Sequence, residues 1–257
     1  MKRLFGGADE PVQDDVVDVV RLPEAESNDE RTYGSAFDEL RTGFTAAVSH
    51  ELRTPLARIL ALLDSSDLPG ADVQALIDAA RAEVEYAGAL IDEILFLSEL
   101  EGGKEVVSFG MTNALPVLEE VVTEHADAAG RAGIAVMASG DPTVDVPLRP
   151  RMLRIIAENL TENALRYAGH GASFTLSVSR EDGAIVLRAA DTGVGLTEAD
   201  IPRLFERFWR ADAARASRGT GLGLAIVKHV VSAAGGTVEA RGGRGEGLEV
   251  RCVFPTA

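Results

Sequence analysis

The chain has 257 residues, 46% of them hydrophobic, which is enough for one or two domains with buried cores and too much for a chain disordered throughout. Its 41 acidic residues against 25 Lys and Arg give a formal net charge of −16, so a nucleic-acid backbone is repelled and no nucleic-acid partner is expected. The single cysteine, Cys252, excludes an internal disulfide and reads as a small packed side chain in a reducing cytoplasm.

Residues 1–34 form an acidic, mixed segment with one apolar run, Val16–Val20, that is either a short strand or nothing. Lys2 and Arg3 are not followed by the apolar stretch of a secretory leader, and no run approaches the roughly 18 to 20 apolar residues that span a bilayer. The chain is therefore expected to be soluble as given, without a membrane segment.

From Ser35 to Asp64 the apolar residues Leu40, Phe44, Val48, Leu52, Leu56, Ile59 and Leu63 recur on one helical stripe. His50 falls midway between Val48 and Leu52, so it points away from the stripe toward solvent, with Glu51 beside it and Thr54 one turn on. Pro55, inside this helix, removes a backbone hydrogen bond and crowds the Glu51 carbonyl, which predicts a kink or weak point within a turn of His50. That point is either a hinge or a tolerated irregularity. Ser65–Gly70 supplies a turn, and a second helix runs from Ala71 to Leu100 on Val73, Leu76, Ile77, Ala80, Val84, Ala87, Ile91, Ile94 and Leu97, ended by Gly102 and Gly103. Two such helices, each about 45 Å long, make an antiparallel hairpin with an apolar seam that nothing covers. A second copy is the simplest cover, which predicts a homodimer with a four-helix bundle over residues 35–104.

Over residues 105–257 the pattern changes to alternation. Strands are predicted at 134–138, 173–179, 184–190, 237–240 and 248–254, and helices at 113–130, 150–168, 198–207 and 222–234. The expectation is an α/β sandwich, a mixed sheet covered by helices on one face, so that the whole chain is α plus α/β.

On the helix from Pro150, Leu153, Ile156, Leu160, Ala164 and Tyr167 form the core stripe, and Asn159, Asn163 and Arg166 form a polar stripe beside it. Amides and a guanidinium beside a core edge need partners, which suggests a polar ligand. Asn163 offers a neutral oxygen to Mg²⁺, and Arg166 suits phosphate. Asp191-Thr-Gly-Val-Gly195 follows a strand directly; its carboxylate can accept from an exocyclic amine, and Gly193 and Gly195 let the backbone pass close to a flat ring. Phe205, Phe208 and Trp209 read as packing that anchors the loop after them, and Ala211–Arg218 reads as a polar lid. Gly219, Thr220, Gly221, Leu222 and Gly223 then open a helix, whose free N–H groups suit phosphates. A P-loop is excluded because Leu224 follows Gly223 and the first lysine is Lys228, and a Rossmann fingerprint because its third glycine is Leu224.

Phe44–Pro55, Asn159–Tyr167, Asp191–Gly195, Phe205–Trp209 and Gly219–Leu224, in that order, resemble the catalytic core of the bacterial sensor histidine kinases of two-component systems over residues 35–257. The resemblance implies a dimerisation and histidine-phosphotransfer domain at 35–104 and an ATP-binding domain at 105–257, similar to that of type II topoisomerases, Hsp90 and MutL. It makes His50 the phosphorylated residue, Asn163 the metal ligand, Arg166 the phosphate contact, Tyr167 a neighbour of the base and Asp191 the reader of the adenine amino group. ATP and Mg²⁺ are the implied ligands, and the receiver domain of a response regulator the implied acceptor. Glu51 would hold the imidazole and take its proton, and Thr54 would support dephosphorylation of the regulator. His125, His170 and His229 lack metal spacing and read as structural. Two rival readings are a dimeric scaffold that binds nucleotide without transferring phosphate, and an ATPase clamp that leaves the histidine helix unexplained.

Overall fold

The computed structural model describes the backbone of residues 30–101, 110–211 and 219–256, and the side chains of residues 45–100 within the first of these segments. The Val16–Val20 run, Gly102, Gly103 and residues 212–218 of the expected lid lie outside the described residues.

Helix α1, Glu30–Ser66, and helix α2, Val73–Glu101, form the hairpin, with the turn closed by the Leu68 amide donating to the Ser65 carbonyl at 3.2 Å. Helix α1 is continuous through Pro55, whose ring is buried. The helices are pinned by Arg58 of α1 and the buried Glu83 of α2, 3.7 Å apart. The predicted seam is only half used within one chain. Leu56 and Leu63 of α1 and Val84 of α2 are more than half exposed, whereas Leu90, Leu97 and Leu100 of α2 are buried in the core of the following α/β part.

That part begins with β1, Thr112–Asn113, which pairs antiparallel with β3, Asp145–Val146, a two-residue ladder too short for any periodic signal. The helix predicted at 113–130 is two helices, α3, Ala114–Glu124, and α4, Ala126–Ala132. They break at His125, whose Nδ1 lies 2.9 Å from the Val121 carbonyl oxygen, a local bond that competes with helical continuation. Strand β2, Ala135–Gly140, runs parallel to β4, Ser173–Glu181; β4 pairs antiparallel with β5, Ala184–Asp191, which pairs antiparallel with β7, Gly247–Pro255, and β7 with the edge strand β6, Thr237–Gly243. The sheet order is thus β2-β4-β5-β7-β6, the mixed sheet expected. The β4–β5 register is fixed by Asp182 and Gly183, both at positive φ (48° and 78°), as a tight hairpin turn requires.

Helix α5, Pro150–Tyr167, and helix α6, Gly223–Ala233, cover one face of the sheet with α3. Alternate residues Phe174, Leu176 and Val178 of β4, and Leu248, Val250, Cys252 and Phe254 of β7, point into that core, where α5 buries Met152, Leu153, Ile156 and Leu160. The helix predicted at 198–207 is a single turn, Ile201–Arg203. Pro202 permits the turn, and the chain then takes a positive φ at Phe208 (61°), which no helix accommodates.

Candidate functional site

A cavity of about 310 Å³ opens between α5, the end of β5 and the start of α6. The polar stripe of α5 faces it: Asn159, Asn163, Arg166 and Tyr167 all line the wall. Asn159 is held by its Nδ2 donating to the Ile155 carbonyl at 2.8 Å, which leaves Oδ1 toward Gly223. Arg166 is exposed and lies 3.6 Å from Glu162, a solvent-screened pair that leaves the guanidinium available. Among the described residues no group of three His, Cys, Asp or Glu side chains could hold a metal. A neutral amide oxygen at Asn163 with an acidic neighbour at Glu162 suits Mg²⁺ carried mainly by phosphate and water.

Asp191 ends β5 inside the cavity, where burial pushes its carboxyl above the usual range despite amide donors from Gly193, at 2.8 Å, and Leu248. The glycines beside it carry a constraint of their own. A Cβ at Gly193 would overlap the Ala168 carbonyl at the end of α5, and one at Gly195, where φ is +59°, would overlap the carbonyl of Gly243 in the β6–β7 hairpin. Both glycines let protein backbones meet, and the Ala168 carbonyl accepts the Val194 amide at 3.0 Å. Asp191 is thereby held rigidly at the cavity floor.

The run Gly219–Gly223 leads into α6, which starts without any side-chain cap; Thr220, Gly221 and Gly223 line the cavity, whereas Gly219, Leu222 and, beside Asp191, Gly193 do not. The first amides of α6 are therefore open to a ligand. Gly221, at φ +71°, abuts the Phe208 backbone and accepts the Phe208 amide at 2.8 Å, so the backbone of the aromatic run holds this glycine-rich loop, while most of the loop it was expected to anchor lies outside the described residues. Thr220 is buried; its hydroxyl accepts the Leu222 amide at 3.2 Å and donates to Glu93 Oε2 of α2 at 2.5 Å.

His50 is exposed on α1, Glu51 is half-buried, and the Thr54 hydroxyl donates to the His50 carbonyl at 3.4 Å. None of the three lines the cavity. The hairpin meets the glycine-rich loop at Tyr86 of α2, whose hydroxyl donates to the Gly219 carbonyl at 3.3 Å and whose pKa is raised above its ordinary value by burial, then by the charge of Glu51. Further along α2, Phe96 lies under the Arg151 guanidinium at 5.9 Å. His229 of α6 bonds to the Leu100 backbone, and burial holds its pKa below the ordinary histidine value. Sequence reasoning missed Tyr86 and Glu93, because a Tyr and an acid on the polar side of an amphipathic helix carry no signal that separates them from a solvated face.

Residues 40–103 match the family described as His Kinase A (phospho-acceptor) domain, and residues 149–257 match the one described as Histidine kinase-, DNA gyrase B-, and HSP90-like ATPase. The chain belongs to the sensor histidine kinases. The sensor-like histidine kinase SenX3 of Mycolicibacterium smegmatis is 32% identical over 216 residues, covering 82% of this chain and 56% of SenX3. This kinase chain thus spans a little over half the length of that curated relative. Full-length ShkA in complex with AMPPNP superposes with a TM-score of 0.61 at 27% identity, over 82% of this chain and 45% of ShkA. The histidine kinase ThkA, solved in complex with the response regulator protein TrrA, superposes with a TM-score of 0.69 at 19% identity, over 89% of this chain and 65% of that one, a likeness of fold.

Proposed function

We propose that this kinase chain autophosphorylates His50 from ATP and passes the phosphoryl group to an aspartate on the receiver domain of a response regulator. The observation that carries the reading is one chain presenting an exposed histidine on α1 and a cavity lined both by Asp191 and by the uncapped start of α6 at Gly223. ShkA's complex with AMPPNP and ThkA's with TrrA support the nucleotide and the acceptor class.

In this reading residues 35–104 are the dimerisation and phosphotransfer domain and 105–257 the ATP-binding domain. Asp191 accepts the adenine amino group and Tyr167 lies against the base. Asn159, Thr220, Gly221 and Gly223 line the phosphate path, with Gly219 and Leu222 shaping the loop between them, and Arg166 neutralises phosphate oxygens. Asn163 would hold Mg²⁺, which would supply charge neutralisation on the phosphates. A neutral imidazole nitrogen of His50 attacks the γ-phosphorus in line; the N–P bond forms as the bond to the β-bridging oxygen breaks, ADP leaves, and Glu51 takes the imidazole proton. Because His50 stands outside the cavity, the ATP-binding domain must swing from the arrangement described here before transfer. A second copy covers the exposed hairpin face, Thr54 supports dephosphorylation of the regulator, and the setting is cytoplasmic.

The test is incubation with γ-labelled ATP and Mg²⁺. Label that survives base, is lost in acid and is absent from His50→Gln supports the proposal. Acid-stable label, or label retained by His50→Gln, overturns it, and nucleotide binding without label points to the scaffold reading.

A further inference from the structure

The contact between α2 and the glycine-rich loop has a chemistry that the kinase reading does not use. Thr220 is buried at the start of the loop where phosphates are proposed to bind, and its hydroxyl proton is directed at the Glu93 carboxylate, 2.5 Å away. The same hydroxyl accepts the Leu222 amide at 3.2 Å, so its orientation is fixed. Glu93 itself lines the cavity together with Asn163 and Arg166. An anion from the hairpin therefore already sits at the anion-binding end of the pocket, on a donor that a phosphate would use.

The surrounding contacts hold it there. Tyr86, two turns before Glu93 on the same face of α2, donates to the Gly219 carbonyl, and Leu90 and Leu97 between and beyond them are fully buried. Toward the end of α2, Phe96 packs under Arg151 and the Leu100 backbone bonds to His229. The carboxylate sits in partial burial beside Glu162, with Arg166 as the compensating charge, and burial pushes Glu93 above the usual carboxylate range. A triphosphate brought to this loop would add several negative charges beside a half-buried one and compete for Arg166 and Thr220.

We infer that Glu93 is an intramolecular anion that occupies the phosphate end of the nucleotide pocket, so that nucleotide binding and docking of α2 on the glycine-rich loop exclude one another. The inference rests on the nucleotide reading of the cavity. It gives Glu93 a positioning role: by opposing nucleotide in the docked arrangement it couples loading of the pocket to release of the ATP-binding domain from α2, the motion that delivery to His50 requires. Because coupling is reciprocal, whatever weakens the Glu93 contact must tighten nucleotide, and nucleotide must loosen the contact.

The experiment uses the full chain and AMPPNP, whose γ-phosphoryl is not transferred. Glu93→Gln removes the charge but keeps a side-chain oxygen for the Thr220 hydroxyl, and Tyr86→Phe removes one docking bond without altering charge. Docking is read as the distance between probes on Leu68→Cys at the hairpin turn and Arg180→Cys near the C-terminal end of β4, both exposed, with Cys252 buried and unlabelled. Glu93→Gln is expected to bind AMPPNP about tenfold more tightly than the unaltered chain, Tyr86→Phe less markedly so, and AMPPNP is expected to shift the probe distance in the unaltered chain. Equal affinity in Glu93→Gln and the unaltered chain, or an unshifted distance at saturating AMPPNP, overturns the inference while leaving the nucleotide reading standing. Absence of AMPPNP binding in both proteins overturns that reading and the inference with it.

Discussion

Asp191 shows how much one side chain can decide. Its carboxyl is partly buried and fixed by two backbone amides, so it presents an acceptor of defined direction to whatever occupies the cavity floor. Asp191→Asn exchanges one acceptor oxygen for a donor facing the adenine amine, and ATP affinity measured calorimetrically should fall by about 1.5 to 3 kcal/mol, the worth of a hydrogen bond to a charged group. Burial raises the Asp191 pKa and an amine donor favours the ionised form. ATP binding should therefore weaken as pH falls through a value above the ordinary aspartate range, and the Asn variant should lose that dependence. Asp191-Thr-Gly-Val-Gly195 alone is a common turn, and only its place in order among the other motifs singled Asp191 out in the sequence. What its glycines do was not legible, since the overlap of Gly193 with Ala168 and of Gly195 with Gly243 comes from elements distant in sequence. Gly193→Ala should accordingly lower thermal stability as well as ATP binding, by a cost of about 1 to 3 kcal/mol read from the melting transition. Cys252 is the simple counterpart: fully buried in β7, with its thiol pushed up to about 12, it should resist alkylation in the folded chain and react once the chain is unfolded.

Among the elements, periodicity revealed the long ones and missed what tertiary contacts decide. Helices α1, α2, α5 and α6 and the five-stranded sheet follow from apolar spacing; α5, α6 and the sheet bury the face it marks, whereas the α1 face is left largely exposed in one chain. The break at His125 and the single turn at Ile201–Arg203 rest on local bonds and on the backbone at Phe208, which leave the apolar spacing unchanged. Helix α2 carries the less legible lesson. Of the residues expected on its seam, Val73, Ile77, Val84 and Ile91 are exposed, whereas Leu97, together with Leu90, packs into the α/β part. One contact there has a pH sign. Burial and the neighbouring Arg207 and Lys228 hold His229 below its ordinary value, so the folded chain favours the neutral ring. The stability this contributes is fully present above the unfolded histidine value of about 6.5 and is lost as pH falls below it toward the lowered native value. The melting temperature should drop between pH 7.5 and pH 5.5, and His229→Gln, which retains a hydrogen-bonding side chain without a titrating ring, should shrink that drop.

For the whole molecule, the two parts of the chain answer different demands. The α/β part encloses a continuous core, which takes in Leu90, Leu97 and Leu100 of α2, with both sheet edges formed by short strands, β2 and β6. The hairpin does not: Leu56, Leu60, Leu63, Val84 and Leu95 are each between 53% and 63% exposed, along with Ile77 at 41%. Burying one such side chain stabilises by about 1.5 to 3 kcal/mol, and a two-fold interface buries each residue twice, so this face is worth more than the cost of association only if another hairpin meets it. The cavity, by contrast, is lined by residues of α2 and the α/β part of one chain, with none from the exposed apolar face. Assembly and nucleotide binding should therefore be separable. Leu60→Glu combined with Val84→Glu places two charges on each copy's hairpin face. Sedimentation velocity should show the unaltered kinase as a dimer and the variant as a monomer, with AMPPNP affinity changed by less than about threefold because no cavity residue is touched. A variant that remains dimeric would place the interface elsewhere, and one that loses AMPPNP together with the dimer would mean that the second copy contributes to the pocket.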